Sequence, residues 1–238
     1  MNLTVFEITL YALIPGICMV IGGLVGTIYS FGVKSKNMTQ HLVAGIVFGA
    51  VSVDLLPKIL DSKSPLTVAI GFVVGVVLML SLMQFTKQME HMSLKSKLPM
   101  GLLLAVWVDV FVDGLLVGIS FVAGEDSGIL ITIALSACLL FLGISTAMVL
   151  KDRLVGLTQS MGWLIFISIM MPVGAWVGAS LMNSVPQTWM VEFLAFGVAA
   201  LLYLGAEELL VEAHEGEDSA LITSSFFLGF LAILLLKL

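Results

Sequence analysis

Charge is scarce in this chain: only 11% of its 238 residues are Asp, Glu, Lys or Arg. The ten basic residues stand isolated between apolar runs and the net charge is −6, which excludes a nucleic-acid binder. Blocks of like charge are also absent, so no interaction tail is predicted. Cys18 and Cys138 are the two cysteines, each inside an apolar run, so neither a disulfide framework nor a C-x-x-C site can be built. The N-terminal stretch MNLTVFEITLYALIPGICMV lacks a basic leader and a small-residue cleavage site, and reads as a retained first span. No His/Glu protease motif or Ser/His arrangement falls in the apolar runs, which argues against an intramembrane enzyme.

What remains is apolar. Hydrophobic residues make up 60% of the chain and the mean hydropathy is +1.15, values that belong to an integral membrane protein. A spanning helix needs about 20 mostly apolar residues. Eight runs meet that length, at about 5–31, 39–60, 66–86, 101–123, 128–150, 156–181, 189–211 and 219–237. They are too long and too unalternating for barrel strands, so the predicted fold is an all-α polytopic bundle in a single membrane domain over 1–238. The loops after spans 1, 3 and 5 hold Lys34, Lys36, Lys87, Lys95, Lys97, Lys151 and Arg153, whereas the other side holds Lys58, Lys63 and Lys237. The excess marks the cytoplasmic face and puts both termini outside, in a plasma membrane of bacterial type.

Short matches suggest internal repetition. Span 2 ends SVDLLPKIL and span 7 ends GAEELLVEAH; span 1 carries Ile14-Pro15-Gly16 and span 6 carries Met171-Pro172-Val173-Gly174. Spans 1–3 and 6–8 then form halves around spans 4 and 5, a 3+2+3 arrangement of inverted repeats. Chance likeness between Leu-rich helices competes with that reading. Glycines recur at Gly16, Gly22, Gly23 and Gly26 in span 1 and at Gly174 and Gly178 in span 6, where they permit close helix contact.

The chemistry concentrates in span 4, VWVDVFVDGLLVGIS. Asp109 and Asp113 lie one turn apart on one helix face near mid-span. A central Asp costs roughly 2.5 to 3.5 kcal/mol on insertion scales, so each carboxyl needs a base, a cation, water or a proton. No Lys or Arg lies deep in any span; Lys58 is placed for Asp54, four residues before it. The open choices are a bound cation, a hydrated cavity or protonation, with hydrogen-bonded structural aspartates as the plainer account. A second acidic region closes span 7, with Glu207, Glu208, Glu212, His214, Glu215, Glu217 and Asp218. Asp54, Glu208, Glu212 and His214 are candidates for a cation pathway or entrance. His41 and His91 fall at loop edges.

In the order VSVDLLPKIL, DVFVDGLLVG, MMPVGAWVGA and LLYLGAEELLVEAHEG, spans 2, 4, 6 and 7 resemble the ZIP family of divalent metal transporters, and the likeness extends over nearly the whole chain. The resemblance implies an eight-helix carrier, a metal site between spans 4 and 5 extended by span 6, and movement of spans 1, 4, 5 and 6 against spans 2, 3, 7 and 8. The family's His-Asn-x-Pro-Glu/Asp-Gly falls on Asp109-Val110-Phe111-Val112-Asp113-Gly114, which keeps the second acid and replaces the histidine by an acid. Its span 5 pattern His-x-x-Pro-Glu-Gly falls on Cys138-Leu139-Leu140-Phe141-Leu142-Gly143, and its span 6 glutamate falls on Met171. Asp109 and Asp113 are thus expected as hard oxygen ligands, with Cys138 and Met171 as soft ones, although packing accounts for either of the last two equally well. The expected function is transport of a divalent cation such as zinc, with the metal as substrate and no permanently bound cofactor. Lipid and the metal ion are the expected partners, no nucleic acid is, and a homodimer is compatible with the fold. Two alternatives stand beside this: a transport-inactive homologue with a regulatory role, and a proton-coupled carrier of another solute.

Overall fold

The computed structural model describes residues 3–29, 31–93, 98–185, 189–213 and 219–238, without the side chains of 86, 87, 89–93, 212 and 213. The described residues are helical, with no strand, and eight helices are long and apolar enough to cross a membrane. These are Val5–Ile28, Val33–Asp61, Pro65–Phe85, Met100–Ala123, Glu125–Asp152, Leu157–Ser184, Met190–Leu209 and Ala220–Lys237, numbered here as spans 1 to 8. The chain is an all-α integral membrane protein. Most span ends lie within about three residues of those read from hydropathy. Span 2 differs: it begins at Val33 rather than near 39, because a polar turn continues the helix beyond the apolar run.

Two spans break where proline removes a backbone donor. Span 1 consists of helices Val5–Tyr11 and Leu13–Ile28, and span 6 of Leu157–Ser168 and Met170–Ser184. Pro15 cannot donate to the carbonyl of Tyr11, nor Pro172 to that of Ser168, so each helix opens one turn before its proline. Thr4 starts span 1 with a capping box, accepting from the Glu7 amide while the Glu7 carboxylate accepts from the Thr4 amide.

Spans 2 and 7 each contain a π-helical turn, Val51–Leu55 and Leu204–Leu209. Both fall on the acid-Leu-Leu segments read as related. Pro57 explains the first, since its absent N–H would have bonded to Val53 inside the turn. The second has no proline; Gly205 opens it, where a Cβ would meet the Phe48 ring at 2.7 Å.

The chain divides into two compact units, Met1–Ser30 with Leu80–Ser184, and Phe31–Met79 with Val185–Leu238. Spans 1, 4, 5 and 6 therefore share the first, and spans 2, 7, 8 and most of 3 share the second. Within the first unit, span 1 packs chiefly on span 5 and span 4 on span 6. The contacts are backbone to backbone: a Cβ added at Gly114 or Gly118 would collide with the carbonyls of Met171 or Ala175, and one at Gly22 with the carbonyl of Leu140. Within the second unit, span 2 packs on span 8, with Gly45 against Phe226, and Gly71 brings span 3 onto Glu192 of span 7. Exchanging spans 1–3 with 6–8 and span 4 with span 5 turns each pairing into the other of its unit, as inverted repeats require.

Candidate functional site

Asp113 is buried, at 3% relative exposure, and Asp109 is half-buried one turn earlier on span 4. The next residue, Gly114, lies against the Met171 carbonyl and the Gly174 backbone, so Asp113 sits at the level where span 4 crosses span 6. Spans 4, 5 and 6 carry no Lys or Arg between Leu98 and Leu150 or between Leu154 and Ser184, and span 1 carries none at all. Away from the span ends, where Glu7, Glu125, Asp126, Lys151 and Asp152 lie, these four spans carry Asp109 and Asp113 and no Lys or Arg.

Met171 is fully buried, and its Cβ lies 3.8 Å from the position a Cβ on Gly16 would take. It fills a junction of spans 1, 4 and 6, which is a packing role that a thioether suits. Cys138 is buried on span 5. Among the described residues no three His, Cys, Asp or Glu side chains gather into a metal-binding group. Asp109, Asp113 and Cys138 do not close on one point, so a cation held by the span 4 carboxylates would complete its shell with carbonyl or water oxygens. Trp107 adds a polar atom that the hydropathy of span 4 conceals: its indole Nε1 is shielded and meets no hydrogen-bond acceptor among the described residues. A tryptophan two positions before an intramembrane acid is the only sequence signal for it.

In the second unit, Asp54 is an ion-pair centre. Its carboxylate is 1% exposed, with Lys237 Nζ donating to Oδ1 at 2.7 Å and Lys58 Nζ 3.5 Å from Oδ2. The Lys58 pairing follows from i,i+4 spacing, whereas Lys237, from the far end of the chain, does not. With two ammonium groups on one carboxylate, this position presents no net negative charge to a cation.

His41 is not at a loop edge. It lies two turns inside span 2 at 3% exposure, its ring Nδ1 3.0 Å from the Asn37 carbonyl, and Asn37 and Gln40 are buried beside it in sequence. The earlier start of the helix carries these polar residues into the packed part of the unit. Ser225 of span 8 donates to the Met38 carbonyl at 2.8 Å, so this polar turn is tied to its neighbour.

Glu208 is half-buried in the π-helical turn of span 7, and Glu207 is exposed. The backbone of Glu212 continues the helix as Leu210–Ala213, and its side chain lies outside the described residues. His91, as a side chain, and His214, Glu215, Glu217 and Asp218 altogether also lie outside them. Asp109 and Asp113 share span 4, one turn apart, and among the described residues no third His, Cys, Asp or Glu joins them in a metal-binding group.

No protein-family model matches the chain, and no curated protein is significantly similar to it.

Proposed function

We propose that this protein is a carrier of divalent metal cations of the ZIP type, with Asp109 and Asp113 as its central binding carboxylates and the metal as cargo. The observation that carries the reading is the placement of two acids, one turn apart, inside a four-span unit made of spans 1, 4, 5 and 6. That grouping of spans is the one the family resemblance implies. The excess of basic residues after spans 1, 3 and 5 supports an orientation of the carrier with both termini outside. Two carboxylates with water or carbonyl oxygens suit a divalent ion held at modest affinity, which a carrier must also release.

One observation favours a second reading. Leu142 and Met171 occupy positions of family ligands and no three-residue metal group forms among the described residues, as expected of a homologue that no longer transports. Proteoliposomes containing a metal-sensitive dye separate the two. Uptake of one of Zn, Cd, Mn, Fe, Co or Ni by wild type, lost in Asp109→Asn/Asp113→Asn, supports the carrier. Uptake at the level of empty vesicles for every metal supports the inactive homologue, and metal-independent proton flux lost in the same variant supports the proton-coupled alternative.

A further inference from the structure

An open groove of about 570 Å³ lies where span 2 ends and span 3 begins, lined by Leu60, Lys63, Val68, Ala69, Phe72 and Val73 among others. Its volume falls within the roughly 300–1,000 Å³ of ligand clefts, far more than an ion needs. Leu60 and Val73 are 73% and 58% exposed, and span 3 is the least buried of the eight, with 17% of its most apolar window shielded. In a bilayer such a surface meets lipid rather than water, so an apolar groove here is a seat for an acyl chain.

The polar end of the groove is Lys63. It sits exposed in the turn between the two spans, and its backbone is left-handed, with φ 50°. A glycine or asparagine would take that conformation with less strain, yet a long cationic side chain stands there. Lys58 and Lys237 are engaged by Asp54, whereas Lys63 makes no ion pair among the described residues. The carboxylate nearest to it in sequence, Asp61, does not line the groove. An exposed ammonium above an apolar trough is complementary to a phosphate ester above an acyl chain.

We propose that this groove is a binding site for one anionic phospholipid, with the headgroup on Lys63 and one acyl chain along Val68, Phe72 and Val73. The site is independent of the cation-carrier reading. Native mass spectrometry of the purified full-length protein tests it, with phosphatidylglycerol and phosphatidylcholine of identical chains added at equal concentration. Wild type is expected to retain phosphatidylglycerol several-fold over phosphatidylcholine. Lys63→Gly, which relaxes the turn and keeps the fold, loses the preference, and Ala69→Trp, which fills the trough, loses the bound lipid of both kinds. Equal retention of both lipids by wild type, or a preference unchanged in Lys63→Gly, overturns the proposal. So does displacement of the lipid by millimolar inorganic phosphate, which would assign the site to phosphate alone.

Discussion

The pair of lysines on Asp54 makes a quantitative prediction. Lys237→Ala removes a charge-assisted hydrogen bond of 2.7 Å to a carboxylate that is 1% exposed. Such bonds contribute about 1.5–3 kcal/mol when shielded, but the lysine side chain is 36% exposed, and solvent screening lowers its share to about 1–2 kcal/mol. Lys58→Ala removes a longer i,i+4 pair of 3.5 Å, in the range of about 0.3–0.5 kcal/mol. Either lysine alone leaves the carboxylate one counter-charge. The double variant removes both lysines, and an uncompensated buried charge costs about 3–5 kcal/mol. The two effects should therefore exceed additivity by about 2 kcal/mol, and Asp54→Asn in the double background should recover most of the loss. Reversible unfolding in a fixed detergent and lipid mixture measures all four corners of the cycle. A double variant whose cost equals the sum of the singles to within about 0.5 kcal/mol would refute the buried-charge argument.

Gly114→Ala forces a Cβ into the Met171 carbonyl and should destabilise by about 1–3 kcal/mol in the same unfolding assay, whereas Gly162→Ala, with nothing within 4 Å, should be neutral or up to about 1 kcal/mol stabilising. Pro172→Ala restores the donor missing from span 6, and amide exchange should slow around Ile169; unchanged exchange would remove proline as the cause of the break. In the transport assay, Asp113→Asn should reduce metal uptake far more than Glu217→Gln, because only the former alters a carboxyl inside a span; equal effects would remove the central assignment.

Much of the fold is written in hydropathy, because lipid leaves a backbone few choices besides a helix of sufficient length. The breaks at Ala12 and Ile169 are not in the hydropathy, which runs through both spans, but each follows from a proline, Pro15 or Pro172, on its own helix. Three features were not legible. The start of span 2 at Val33 escaped because Lys34, Ser35, Lys36 and Asn37 look like loop residues, although Asn37 is buried in the fold. Lys237 on Asp54 joins residues 183 positions apart, a pairing no local pattern encodes. The π-helical turn at Leu204–Leu209 has no proline to announce it, although it falls on the segment whose sequence resembles the end of span 2, where the Val51–Leu55 turn lies. At the candidate site, i,i+4 spacing sufficed for Asp109 and Asp113 on one helix. It could not tell whether Cys138, on another helix, would meet them, and the described residues form no such trio.

The central claim is that the span 4 carboxylates hold a metal ion, and equilibrium stabilisation tests it most directly. A ligand that binds only the folded protein raises its melting temperature by mass action. Purified wild type and Asp109→Asn/Asp113→Asn should be melted across a concentration series of Zn, Cd, Mn, Fe, Co, Ni and Cu(I). The account predicts that at least one divalent metal raises the melting temperature of wild type in a saturable manner and leaves the double variant unmoved. A melting temperature that no metal shifts in wild type, or that shifts equally in both proteins, would contradict it.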